Sequence, residues 1–196
     1  MKNILKIFLI ISLTGGLYYA WYVGLNYRFG VITENKVYKS GKIPPEKIAG
    51  YIFRNNIKTV IDLRHPAINN VLNPGTQKGI DLQREVIEKL HGVRLVNIQS
   101  KQVPTKENLR DFFEVMDDSS SYPVLIHCYH GVGRAMIYSA IYRIEYEGMS
   151  TEEARKKTRL IVASSSFAEG KDKGNFLISY KSRQELENNA LIAMAE

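Results

Sequence analysis

The chain has 196 residues, a formal net charge of +7 at pH 7 and an apolar fraction of 44%. These values fit one folded domain and exclude a disordered, collagen-like or low-complexity chain. A single cysteine, Cys128, excludes an intramolecular disulfide and any site built from several thiolates, so we expect neither a metal nor another cofactor. Residues 1–30 contain three basic residues and no acid, which leaves the rest of the chain only mildly basic, and no nucleic-acid partner is expected.

The segment from Ile7 to Tyr27 contains no charged residue. At about 1.5 Å per residue, a helix of this length spans a bilayer core of about 30 Å. Aromatic residues crowd its carboxyl-terminal half, as in an interfacial belt, where a cleaved signal peptide would need small residues. Residues 7–27 therefore predict a membrane span, with residues 1–30 as an amino-terminal anchor and residues 31–196 as the folded domain. A cleaved signal peptide and a buried core helix are the alternatives.

The charges that flank the predicted span bear on its orientation. Lys2 and Lys6 favour a cytoplasmic amino terminus, whereas Arg28 and the lysines that follow it favour the opposite. We expect the amino terminus to lie inside. The protein would then be a single-pass protein of the cell membrane, with its folded domain on the extracytoplasmic side.

From residue 31 onward, short apolar runs alternate with helical patterns, which is typical of an α/β protein with a mostly parallel sheet. Buried strands are predicted at Lys58–Leu63, Val93–Ile98 and Pro123–His127. Helices are predicted from Pro45 to about Asn55, from about Asp81 to His91, from Thr105 to about Met116, and over Ala135–Glu147. Ser150 and Glu153 form a capping box that predicts a further helix, and residues 164–174 are predicted to be a loop.

Cys128 stands where the third predicted strand ends and a helix begins. Backbone N–H groups converge at such a turn, and the helix dipole adds positive charge, so the position binds phosphate or stabilises a thiolate. Arg134 can hold two phosphate oxygens at once, and Gly131 and Gly133 allow the backbone to approach an anion. A lone cysteine at a strand end is more often a small buried hydrophobic residue. The complete pattern, with His127 before the cysteine, favours catalysis or phosphate binding.

The pattern His-Cys-x-x-Gly-x-x-Arg at residues 127–134 resembles the signature of the cysteine-dependent protein tyrosine and dual-specificity phosphatases. Residues 37–44 and 57–64 are similar to the opening of the compact bacterial members, so the resemblance covers about residues 31–160. It implies a protein-tyrosine-phosphatase-like α/β fold, in which helices flank a mostly parallel central sheet. It also implies that Cys128 attacks phosphorus to form a phosphocysteine while Arg134 stabilises the phosphoryl oxygens. The phosphate-binding residues would be Tyr129, His130, Gly131, Val132, Gly133 and Arg134, with His127 and Asp62 in supporting positions.

Two departures from the family pattern affect the chemistry. Family members usually have serine or threonine after the arginine, where its hydroxyl helps the thiolate leave, but this chain has Ala135, which predicts slow turnover. The family's general-acid aspartate lies on the loop after the second strand, yet residues 99–104 contain no carboxylate. The candidates for the acid are Asp111 on the next helix, Asp172 in the late loop and His130. A missing acid favours phenolic leaving groups and hence phosphotyrosine over phosphoserine.

The leading prediction is a membrane-anchored phosphatase that hydrolyses phosphate monoesters of a protein or a small molecule, with phosphotyrosine or dual specificity. One alternative is a non-catalytic phosphate-binding module, a pseudophosphatase, which Ala135 and the missing loop aspartate would explain. A second is a lipid or inositol phosphate phosphatase, which fits an anchored basic enzyme. Rhodanese-like sulfur transfer also uses a cysteine in a loop after a strand, but the spacing from Cys128 to Arg134 suits phosphate better.

Overall fold

The computed structural model describes residues 2–67, 69, 70, 73, 74 and 76–195. Its helices are α1 Lys2–Gly24, α2 Pro45–Arg54, α3 Gln77–Ile87, α4 Lys106–Met116, α5 Arg134–Glu147, α6 Thr151–Lys156, α7 Asp172–Ser179 and α8 Arg183–Ala195. Its strands are β1 Gly30–Thr33, β2 Val37–Ser40, β3 Thr59–Asp62, β4 Asn69–Asn70, β5 Asn73–Pro74, β6 Arg94–Asn97 and β7 Val124–His127. A short 3-10 helix covers Ser119–Ser121.

Five strands form one sheet in the order β1-β2-β7-β3-β6, and β4 and β5 form a separate pair. β7 pairs in parallel with β2 and β3, and β3 pairs in parallel with β6, whereas β1 adds an antiparallel edge. The predicted mostly parallel sheet is therefore confirmed. All four residues of β7 are buried, so the segment that follows His127 emerges at the carboxyl edge of the sheet centre, where ligands bind in open α/β folds.

Alternate residues of the central strands pack against two helical layers. Ile61 and Ile126 belong to the cluster that includes α4 and α5, and Val60 and Leu125 belong to the cluster that includes α2. Because helices cover both faces, the strands carry continuous apolar runs instead of alternating polar residues. The predicted packing of α5 is confirmed, since every residue from Arg134 to Ile144 is buried.

Several element boundaries differ from those predicted from the sequence. The three predicted strands are present, each shortened to four residues. α3 begins at Gln77 instead of about Asp81, because the Thr76 hydroxyl caps it by accepting the Gly79 N–H. It ends at Ile87, and Gly92 lies beyond it in a turn with a φ of +75°. The capping box at the start of α6 is confirmed, whereas α7 already begins inside the predicted 164–174 loop.

The helix α1 is exposed along almost its whole length. Residues Asn3–Gly24 have a mean hydropathy of 1.6, and none of this apolar window is buried, so the helix adds nothing to the described core. By length and composition it is able to cross a membrane. The segment that follows it is packed: the Tyr51 hydroxyl donates to Asn26 Oδ1 at 3.2 Å, and the Phe29 ring lies 5.0 Å from the Tyr51 ring.

The segment between β7 and α5, residues 128–134, is named the 128–134 loop below. It packs closely against the turn that follows β2. Gly131 has a φ of +69°, and a Cβ atom there would lie 2.4 Å from the backbone nitrogen of Gly41 and 2.7 Å from the carbonyl carbon of Ser40. The conformation and the available space therefore both require glycine at this position.

We expect Gly131→Ala to destabilise the fold more than Gly92→Ala does. A left-handed conformation costs an alanine about 1–2 kcal/mol, and this is the only expected effect at Gly92, where an added Cβ meets nothing within 4 Å. At Gly131 the backbone must also move, which adds about 1–3 kcal/mol. Thermal unfolding of the full chain in detergent measures both losses, and equal losses would contradict the close packing.

Candidate active site

The thiol of Cys128 lies at the point where β7 passes into α5. The residue is only 2% exposed, and its Sγ accepts the backbone N–H of Gly131 at 3.2 Å. The N-cap of α5 is Gly133, and no side chain caps the helix there. The first N–H groups of a 14-residue helix are thus left for another acceptor. This environment favours a thiolate or a bound phosphate.

Four carbonyl groups of the 128–134 loop accept hydrogen bonds from donors outside the loop or in α5. Lys42 N–H donates to Tyr129 O at 2.8 Å, and Arg28 Nη1 donates to His130 O at 2.9 Å. The other two carbonyl oxygens are those of Val132, which accepts a hydrogen bond from Arg159 Nη2, and Gly133, which accepts one from the Met136 N–H. With these carbonyl groups held away from the loop centre, its N–H groups are available to an anion.

Arg134 is held between the ends of two strands. Its Nη1 donates to Leu63 O at 2.7 Å, after β3, and to Ser100 O at 3.2 Å, after β6. The residue is 3% exposed. Its Nε and Nη2 atoms donate to no acceptor in the described part of the chain. A guanidinium fixed through one nitrogen can present the other two to a phosphate in a fork.

A buried polar network supports the loop from beneath. Asp62 accepts two hydrogen bonds from Arg64 Nε, at 2.9 and 3.0 Å, and Arg64 Nη2 donates to Gln83 Oε1 at 3.0 Å. The Gln83 amide nitrogen lies 2.9 Å from His127 Nε2. Burial lowers the pKa of His127 to about 4, so the imidazole is neutral at pH 7 and accepts this amide hydrogen. Burial opposes the charge of Asp62, but the Arg64 guanidinium, through its charge and its hydrogen bonds, holds the pKa of Asp62 below the usual value.

A cavity of about 630 Å³ opens over the loop. Its lining residues are Gln102, Cys128, His130, Val132, Gly133, Arg134, Arg159, Ser166, Gly170, Lys171, Asp172 and Lys173. Of the predicted phosphate-binding residues, His130, Val132, Gly133 and Arg134 line it, while Tyr129 and Gly131 lie in the same loop but not in the lining. His127 and Asp62 lie in the network beneath.

The structure brings two of the three acid candidates to this cavity. Asp172, in the first turn of α7, and His130 both line it. Asp111 does not: it lines a separate cavity with Asn97, and its carboxylate contacts Arg110 Nη2 at 3.1 Å. The next residue of α4, Phe112, is buried in the core. With Phe112 facing the core, Asp111 lies on a face of α4 that does not border the cavity over the loop.

Several basic residues around the loop were not recognised as part of the site from the sequence. Arg28 and Lys39 were considered only as charges that affect membrane orientation, and Arg159 and Lys173 lie in a region without a recognised motif. Lys39 donates to the Tyr22 hydroxyl at 2.7 Å and to Arg28 O at 2.8 Å, and burial lowers its pKa to about 8. Only the folded chain shows that these residues surround Cys128.

Comparison with solved structures finds proteins of similar fold. The fold is similar to the core catalytic domain of the PP-IP phosphatase SIW14 from S. cerevisiae, with a TM-score of 0.55 and 16% identity over 78% of this chain and 85% of that one. It is also similar to TpbA from P. aeruginosa, with a TM-score of 0.55 and 18% identity over 83% of this chain and 88% of that one. Comparison with curated proteins gives no match.

A family comparison covers most of the chain. The family described as the DSP-PTPase phosphatase fused to NAD+ kinase matches residues 28–173, which include the 128–134 loop and every residue that lines the cavity. The chain therefore belongs to this family of cysteine-dependent, dual-specificity-like phosphatases.

Proposed function

We propose that the protein is a membrane-anchored phosphatase that hydrolyses phosphate monoesters through a phosphocysteine on Cys128. The observation that carries this proposal is the position of the thiol, which accepts the Gly131 N–H at the start of α5 and shares a cavity with Arg134. In this proposal residues 1–30 are the anchor and residues 31–196 the phosphatase domain.

The reaction proceeds in two displacements. The Cys128 thiolate attacks phosphorus, the S–P bond forms and the ester P–O bond breaks, so the leaving oxygen takes the electron pair and a proton. Water then attacks phosphorus and gives a proton to the group that protonated the leaving oxygen, the S–P bond breaks, and inorganic phosphate and the thiolate are released. Arg134 and the loop N–H groups stabilise the negative charge on the three equatorial oxygens in both steps. Ala135 offers no hydroxyl to the departing thiolate, so the second step limits turnover.

Asp172 is the proposed donor of the proton to the leaving oxygen. It is the one carboxylate that lines the cavity among the described residues. Its place in the first turn of α7 leaves it exposed to an incoming ester. His130, within the loop, is the second choice. The substrate is a phosphorylated protein or a small phosphate monoester, with phosphotyrosine favoured over phosphoserine.

The anchor is proposed to hold the domain at the extracytoplasmic face of the cell membrane. Its exposed apolar helix and the basic residues Lys2 and Lys6 support this arrangement. Arg28, directly after the predicted span, donates to His130 O in the 128–134 loop. Arg28 thus acts as a positioning residue that joins the anchor to the site.

We expect Cys128→Ser to lower the hydrolysis of p-nitrophenyl phosphate by at least about a thousandfold, because a hydroxyl is a much weaker nucleophile than a thiolate. The full chain in detergent is assayed beside the wild type, and unchanged thermal unfolding serves as the control for folding. Undiminished activity would overturn the mechanism. A wild type that binds phosphate without any turnover would identify a pseudophosphatase.

Asp172→Asn is expected to affect poor leaving groups selectively. The value of kcat/KM for phenyl phosphate should fall by about a hundredfold, because general acid catalysis contributes about that much, whereas p-nitrophenyl phosphate, whose leaving group needs little protonation, should change far less. Asp111→Asn, outside the cavity, is the matched control and should change neither. Equal losses for both esters in Asp172→Asn would exclude the acid role.

Arg28→Gln should disturb the loop without removing any group that contacts phosphate. Loss of the donor to His130 O leaves a part-buried carbonyl unsatisfied, at about 1–3 kcal/mol, and we expect kcat/KM for p-nitrophenyl phosphate to fall about tenfold. The exposed Arg84 of α3 provides the matched control, Arg84→Gln. Similar activity in the two variants would show that the loop does not depend on Arg28.

A further inference from the structure

The cavity contains more positive charge than one phosphate group requires. Four basic side chains line it, Arg134, Arg159, Lys171 and Lys173, against a single lining carboxylate in the described chain. A phosphate dianion in the 128–134 loop is already held by Arg134 and the loop N–H groups. The remaining cations therefore need another explanation.

Lys173 is the most unusual of these cations. It is 9% exposed, and its Nζ donates at 2.5 Å to the neutral oxygen Gln102 Oε1. A Cβ atom at Gly133 would lie 3.6 Å from this Nζ, which places the ammonium group beside the start of α5. No carboxylate in the described chain forms an ion pair with it. Burial and the charges of Arg159 and Arg134 lower the pKa of Lys173, while the charges of Cys128 and Asp172 oppose this effect. A mostly buried ammonium group that forms no ion pair with a carboxylate is stabilised when a further anion binds beside it.

Arg159 stands in the same cavity and is held in place by its contacts. Its guanidinium donates to Val132 O and, at 2.7 Å, to Thr158 O, and it lies 5.0 Å from the centre of the Phe167 ring. Burial, followed by repulsion from Arg28, lowers the pKa of Arg159. Like Lys173, it has no carboxylate partner among the described residues. Two cations of this kind, on a segment separate from the loop, form a preorganised anion site.

We propose that Arg159 and Lys173 form a second anion subsite, so that the substrate is a small molecule with a second phosphate group besides the one that Cys128 attacks. This inference rests on the proposed function, since it takes the loop as the first phosphate site. A cavity of about 630 Å³ accommodates a molecule of that size. A single phosphotyrosine side chain would leave Arg159 and Lys173 without a counter-ion.

Binding measurements separate this inference from the question of turnover. In the full-length Cys128→Ser protein in detergent, calorimetry compares fructose monophosphate with fructose bisphosphate. We expect the bisphosphate to bind about tenfold more tightly, and Lys173→Gln or Arg159→Gln to remove most of this preference. Lys157→Gln, an exposed lysine at the end of α6 outside the cavity, is the control and should keep it. A preference that survives Lys173→Gln would overturn the subsite, and so would equal affinities for the two sugars together with equal affinities for the two lipids compared below.

A lipid arm of the same experiment identifies the source of the second phosphate. Phosphatidylinositol monophosphate and bisphosphate in mixed micelles replace the two sugars. If a Lys173-dependent preference for the bisphosphate occurs with the lipids and not with the sugars, the subsite binds a lipid headgroup. If the preference occurs with the sugars, the subsite binds a soluble molecule. Absence of the preference in both arms overturns the proposal. If the bisphosphate binds more tightly but the wild type hydrolyses no phosphate ester, the proposed function is overturned and the subsite is not. If the wild type hydrolyses esters but the bisphosphate binds no more tightly, only the subsite is overturned.

Discussion

The structure depends on one constraint: a loop that offers its N–H groups to an anion must turn its carbonyl groups away, and each carbonyl then needs a donor. Three carbonyl groups of the 128–134 loop have such donors from distant parts of the chain, namely the backbone N–H of Lys42 and the side chains of Arg28 and Arg159. The approach of Gly131 to Gly41 allows the first of these bonds to form. Lys42 and Arg28, which do not contact the phosphate in the loop, thus contribute to the geometry of the site.

The same requirement explains why so much charge is buried beneath the loop. Asp62 and Arg64 form an ion pair at 2.7 Å with almost no exposure, and Gln83 connects this pair to the neutral ring of His127. A buried ion pair adds little stability by itself, but it has a defined geometry. Here it fixes the end of β3 relative to the end of β7. Arg134, bonded to the carbonyl oxygens that follow β3 and β6, depends on that alignment.

Local patterns were sufficient to predict the central strands, the packed helix α5 and the loop with Cys128 and Arg134, because each depends on neighbours in sequence. The β1-β2 pair was not assigned, since β2 carries the polar residues Lys39 and Ser40 and neither strand belongs to a longer apolar run. The choice between Asp111 and Asp172 depends on which elements meet at the cavity, which spacing does not encode. Lys173 entered the site for the same reason, through the packing of α7 beside the loop.

The junction between α1 and the domain also limits what the site can reach. On a flexible linker, a phosphatase domain could occupy a range of positions and orientations several nanometres wide above a bilayer. Here the Tyr22 hydroxyl, in the last turns of α1, accepts a hydrogen bond from Lys39 Nζ, and Tyr27 O accepts the Gly41 N–H at 2.7 Å. These bonds hold the end of the helix directly against the sheet, without a flexible linker. With α1 in a membrane, the cleft would stay at one height and one tilt. A protein held in this way would reach only substrates at a fixed distance from the bilayer, and it would meet them by diffusion in the plane of the membrane instead of by movement of its domain.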